Sequence, residues 1–221
     1  MTTHERPLQV LAILLAALAG WVDAFGFMAT GGFFVSFMSG NSTRMGIGIA
    51  ARAHTGLIAA GLIGCFLLGV VAGAVAGHRA GVHRPPVVLG LVALLLAAAA
   101  AAGMAGSVAP AAAAMALAMG AENNVFTQDG EVKFGVTYMT GSLVKLGQRV
   151  ASALLGTGQG AWLPYLLLWM GFVAGVVGGA VSYPRLGLAG LWGPALAAAV
   201  LAGVATRIRP TAAPLAAGRV G

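Results

Sequence analysis

Residues 34–46 read FVSFMSGNSTRMG, and residues 135–147 read GVTYMTGSLVKLG. Each breaks an apolar chain with a crowded row of hydroxyl, amide and cationic side chains. Laid over one another at a shift of 101, residues 33–51 and 134–152 match without a gap. Phe33, Val35, Met38, Gly40, Gly46 and Ala50 meet Phe134, Val136, Met139, Gly141, Gly147 and Ala151, and Arg44 meets Lys145. At the same shift Asp23 meets Asn124. One residue further, Gly69, Gly73 and Gly77 meet Gly171, Gly175 and Gly179. Matches of Gly alone carry little in so biased a chain; a run of rarer types, with Arg over Lys, carries more. The pattern predicts a tandem repeat, 8–107 and 110–208, between a short tail (1–7) and a Pro- and Ala-rich disordered tail (209–221).

Composition sets the solvent. Of the 221 residues, 59% are apolar and only 8% charged; an ordinary soluble domain carries roughly 25% charged residues. Such a chain cannot clothe itself against water, so the expected class is an all-α integral membrane protein whose first partner is the lipid bilayer. The net charge of +7 reads as topology, because Lys and Arg gather on the cytoplasmic side. The basic residues are scattered along the loops, without the basic face that nucleic-acid binding requires. Cys65 stands alone and offers no disulfide or Cys-x-x-Cys pair. Arg6 and the run ending LAALAG have some features of a signal peptide, yet the run continues into residues matched in the second half.

A spanning helix needs about 20 apolar residues. Six stretches qualify, near 8–29, 56–77, 87–107, 110–128, 161–180 and 187–206. The segments 32–52 and 132–153 are long enough but too polar and Gly-rich, and are expected to be broken or re-entrant. If they re-enter, each half has three crossings and the halves are inverted, as in many transporters. If they cross, each has four and the halves are parallel. Counting positive charges with the amino terminus inside favours three plus three, with Arg44, Arg52 and Arg185 outside.

Backbone that leaves a helix within lipid must find partners or line a wet cavity. Ser39-Gly40-Asn41 and Thr140-Gly141-Ser142 are the expected breaks. Asn41, Ser42 or Thr43 in one, and Ser142 in the other, could cap a following half-helix, whose amino terminus attracts anions. Arg44 and Lys145 add full charges. Together with Thr140 these are the candidate solute ligands, in a pocket expected where the two breaks face each other. The bland alternative is helix packing at small residues and snorkelling cations. Asp23, Glu122, Asn123 and Asn124 are candidates for proton or ion coupling, since an acid within a span is costly unless it is protonated or paired. Asp23 reads as a proton or cation ligand or as the partner of Arg44, with a structural ion pair near the membrane face as the bland alternative. The GxxxGxxxG runs 69–77 and 171–179 read as helix-packing surfaces.

Enzyme chemistry finds no support: there is no H-E-x-x-H, phosphate loop or nucleophile elbow, and no cofactor or metal is expected. The pattern Gly-x-Val-Asp-Ala, then Ser39-Gly40-Asn41, then Met-Gly-Ala-Glu-Asn-Asn and Tyr-Met-Thr-Gly-Ser-Leu resembles the YoaK family of small bacterial multi-pass membrane proteins. The resemblance covers nearly the whole chain. It implies about six spans in the bacterial inner membrane and supplies no substrate. Ser39 stands where that family usually has Thr, and Glu122-Asn123 or Asn123-Asn124 where it usually has Gln-Asn. The strand-then-half-helix pattern is similar, more distantly, to sulfate-permease transporters. Two functions follow as expectations: a small transporter or channel for a small, perhaps anionic, solute, forming a homo-oligomer; or a structural or regulatory membrane subunit that transports nothing.

Overall fold

The computed structural model describes residues 6–128, 131–132, 138–157 and 161–207. The carboxy-terminal tail 209–221, and Phe134, Val136 and Thr137 of the second polar stretch, lie outside the described residues. Eight α-helices follow in order: α1 Arg6–Ala29, α2 Met38–Ala50, α3 Thr55–Ala80, α4 Arg84–Met104, α5 Val108–Glu122, α6 Met139–Leu154, α7 Leu163–Leu186 and α8 Trp192–Ala205. Each of the six apolar stretches became a helix. The limits moved: Arg6 and Pro7, assigned to a tail, begin α1, and the span expected at 110–128 stops at Glu122. One departure from an all-helical chain follows it, a two-residue antiparallel pair, β1 Thr127–Gln128 with β2 Glu131–Val132.

Three continuous helical runs are long and apolar enough to cross a membrane: Arg6–Ala29, Thr55–Met104 and Leu163–Ala205. At 1.5 Å per residue the second would extend about 75 Å, more than twice a hydrocarbon core of about 30 Å. It therefore folds back. Gly81, with φ +53°, opens a single 3-10 turn (Gly81–His83) that returns the chain as α4. Gly187 does the same between α7 and α8. A side chain is disfavoured in that left-handed region, so glycine sits at both corners.

Close glycine contacts fix how the helices run. A Cβ at Gly171, Gly175 or Gly179 would strike Ile13, Ala17 or Trp21, so α7 lies parallel to α1. A Cβ at Gly69 or Gly73 would strike Leu117 or Ala121, so α3 lies parallel to α5. The two GxxxGxxxG runs thus pack across from one half of the chain to the other. Helix α4 runs against α8: Met104 meets Trp192, while Val88 and Leu89 share a cluster with Ala205.

The core divides by height. One cluster joins Leu18, Phe25, Phe33, Leu62, Leu96 and Leu191; the other joins Leu11, Leu15, Val88, Val125, Leu168 and Ala205. The first end holds the end of α1 and the start of α3; the second holds the start of α1, the end of α8 and the start of α7. Met45 of α2 packs at the first end and Met139 of α6 at the second.

Candidate functional site

The first interruption is residues 30–37, ahead of the expected Ser39-Gly40-Asn41, which forms the first turn of α2. Its backbone has left the helix, and the amides of Thr30, Gly32, Phe33, Phe34, Val35 and Ser36 nonetheless find acceptors. Gly31 and Gly32 take positive φ to turn the chain, and Gly32 N–H donates to the Phe27 carbonyl at 2.8 Å. Phe33 N–H donates to Thr30 Oγ1 at 3.0 Å, and Phe34 N–H to Asn41 Oδ1 at 3.1 Å. Val35 and Ser36 N–H both donate to Asp23 Oδ1 at 2.9 Å. Asn41 Nδ2 returns a bond to the Phe34 carbonyl at 2.7 Å. Three side chains thus stand in for the missing helical carbonyls, as buried backbone requires.

That arrangement corrects several expectations. Asp23 does not pair with Arg44; its carboxylate holds the extended segment, while the Arg44 guanidinium lies over the Phe33 ring, 5.1 Å from its centre. The helix caps are Phe37 and Tyr138, neither with a side-chain capping bond. Asn41 has the better partner in Phe34, and the hydroxyls of Ser42 and Thr43 bond back to the carbonyls of Met38 and Ser39 one turn earlier. In the second half, Thr140-Gly141-Ser142 likewise begins α6 and is not itself a break.

Helix α2 has two faces. Asn41, Arg44, Met45 and Gly48 are buried or half-buried, whereas Ser42, Thr43, Ile47 and Ile49 point outward, the two isoleucines 65% and 66% exposed. Ser42 and Thr43 therefore leave the candidate ligand set. Helix α6 repeats the theme. Ser142 is buried, Arg149 and Ser152 are half-buried, and Leu143, Val144, Val150 and Leu154 face out. Thr140 is exposed. Each helix thus buries or half-buries some of its polar groups, Asn41 and Arg44 in α2 and Ser142, Arg149 and Ser152 in α6, while leaving large apolar side chains exposed; Lys145 and Gln148 are exposed.

The inward faces do not meet in one pocket. Phe27, Met28, Gly31, Gly32, Arg44 and Tyr183 line a cleft of about 420 Å³ at the first end. Lys145, Gln148, Arg149, Ser152 and Tyr165 line another of about 440 Å³ at the second. Among the described residues these two clefts share no lining residue, in place of the single chamber expected between the breaks.

The coupling candidates lie apart from the clefts. Asn124 donates to the Val70 carbonyl of α3 at 3.0 Å, beside Gly73, and so ties α5 to α3. Asn123 donates to the Met119 carbonyl at 2.9 Å. Glu122 is fully enclosed, and neither carboxyl oxygen has a hydrogen-bond partner among the described residues. Sequence reasoning missed Trp21, whose indole N–H is also buried without a partner. It falls on Glu122 at the shift of 101, a signal available in the alignment. Sequence reasoning also missed Gln148, Arg149, Ser152 and Tyr165. Their four-residue spacing along one helix face was the available clue for the first three.

The profile of the family described as Protein of unknown function (DUF1275) matches residues 11–204. The chain belongs to this family. A UPF0700 transmembrane protein of Rhizobium meliloti (strain 1021) is 36% identical over 199 residues, spanning 90% of this chain and 86% of that protein. No solved structure matches the chain at a significant level. The DUF1275 chain is thus a transmembrane protein.

Proposed function

We propose that this DUF1275 protein is a small carrier of anionic solutes in the bacterial inner membrane, built from two inverted halves of three crossings each. One observation carries the reading: α2 and α6 each line a cleft with a cation and leave large apolar side chains exposed on other faces. Within a bilayer a charged side chain is tolerated where it meets water or a partner. The opposed directions of α1 and α5, of α3 and α7, and of α4 and α8 support inversion, as does the likeness to the YoaK family for six spans. The two clefts are the two ends of the proposed path, with Arg44 receiving the anion at one and Lys145 at the other. Glu122, enclosed and unpartnered among the described residues, is the proposed coupling group.

A structural or regulatory subunit is the second reading. It is favoured by Asp23, Asn41 and Asn124, which bond mainly to backbone, and by clefts that share no lining residue.

Cysteine labelling separates the readings. In a Cys65→Ala background, Arg44→Cys and Gln148→Cys are expected to react with a small charged thiol reagent, while Ile47→Cys and Val150→Cys do not. Blocking Gln148→Cys, which leaves both Arg44 and Lys145 in place, should then abolish anion uptake into vesicles. Labelling of all four positions alike would place both helices in bulk water and remove the carrier reading.

A further inference from the structure

We infer that the cleft between α6 and α7 binds a phosphate group. The inference goes beyond transport, because it requires binding alone and holds whether or not anything crosses.

The cleft is built from donors. Lys145 and Arg149 bring full positive charge, Gln148 an amide, and Ser152 and Tyr165 hydroxyls; no carboxylate lines it among the described residues. The Ser152 hydroxyl rests on the Gln148 carbonyl at 3.0 Å and can rotate toward a ligand. A phosphate offers several oxygens to this donor set, and charge-assisted bonds of that kind are the strong ones.

Position supports the same ligand. Tyr165 is in the first turn of α7, a 24-residue helix, whose amino-terminal dipole adds to the positive potential. Trp162, the residue before that helix, is 38% exposed. Trp and Tyr concentrate at the level of lipid headgroups. The same end of the molecule carries Arg6 at the start of α1, Arg79 and Arg84 at the α3–α4 corner, and Arg207 after α8. Basic pockets on the cytoplasmic side of membrane proteins receive anionic headgroups. The phosphate could thus belong to a phospholipid or to a soluble molecule.

The full chain, purified in detergent, would be titrated with phosphatidylglycerol, with phosphatidylcholine, and with inorganic phosphate against chloride at matched ionic strength. Binding would be read by native mass spectrometry for the lipids and by shift of the unfolding midpoint for phosphate. Saturable binding is expected in the phosphatidylglycerol arm or the phosphate arm, which names the source. Lys145→Gln should weaken it by at least about tenfold, the loss of one charge-assisted bond. Lys145→Arg should hold it within roughly threefold, and Arg52→Gln, at the other end, should leave it unchanged. If Lys145→Gln proves misfolded by gel filtration, Gln148→Ala and Tyr165→Phe carry the same expectation of weakening. Binding in neither arm, or binding that these substitutions leave intact, overturns the inference.

Discussion

At the scale of single residues, Asp23 does with one oxygen what a helix does with successive carbonyls. It accepts from two buried amides, those of Val35 and Ser36. A buried N–H stripped of its acceptor costs about 1–3 kcal/mol. Asp23→Ala strips two and should lower the unfolding midpoint in detergent by at least about 5 °C, on the usual scaling for a chain of this length. Asp23→Asn keeps an oxygen in place and should retain most of the stability. Glu122 sets the contrast, because its oxygens have no partner to lose among the described residues. Glu122→Met should therefore hold or raise the midpoint while lowering any uptake. Equal stability of Asp23→Ala and the parent would show that Asp23 does not hold the segment. A polar letter inside an apolar run made Asp23, Asn41 and Glu122 conspicuous in the sequence. Their partners were not legible, because most groups that bind Asp23 and Asn41 are backbone amides and carbonyls, which every residue carries alike.

At the scale of elements, glycine spacing marks which helices touch, but not every spaced glycine is a contact. A Cβ at Gly69 would fall on the Leu117 carbonyl, at Gly175 on the Ala17 carbonyl and at Gly120 on the Phe66 carbonyl. Around Gly61 and Gly64, in the same helix as Gly69, there is open space. Gly69→Ala and Gly175→Ala should each destabilise by about 1–3 kcal/mol, the usual penalty for forcing a methyl into a packed seam. Gly61→Ala and Gly64→Ala should be neutral or stabilising by up to about 1 kcal/mol, through helix propensity. Thermal unfolding of the four variants checks this, and uniform tolerance would deny the seams. The six apolar stretches and the glycine runs were readable from spacing alone. The facing of α2 was not: Asn41, Ser42, Thr43 and Arg44 are consecutive letters, and 100° of rotation per residue sends Asn41 and Arg44 inward and Ser42 and Thr43 out. The interruption was placed about five residues late for a related reason. Phe33, Phe34, Val35 and Phe37 look like helix in composition, and the acceptors supplied by Thr30, Asp23 and Asn41 let the segment leave it.

At the scale of the whole molecule, direction decides topology. If α2 crossed the membrane, α3 would begin at the end opposite to where α1 stops. Yet Phe25 and Phe33, late in and just after α1, share a cluster with Ala59 and Leu62, early in α3. The chain thus leaves and re-enters at one end, so 30–54 is proposed to dip and return. Parallel packing of α7 on α1 carries the same logic into the second half. Among the described residues outside the tails, this places Arg6, Arg79, Arg84, Lys145, Arg149 and Arg207 at one end and Arg44, Arg52 and Arg185 at the other. By the positive-inside rule the richer end is proposed to face the cytoplasm. In a Cys65→Ala background, Arg52→Cys should then react with an impermeant thiol reagent added to intact cells, and Arg79→Cys only after permeabilisation. Four crossings per half reverse both outcomes, because Arg52 would follow the second crossing and Arg79 the third. The pair also resists a common ambiguity: a simple flip of the whole protein exchanges the two results and moves both termini outside, which a reporter fused after Arg207 would register, whereas a change in crossing number leaves the termini where they are.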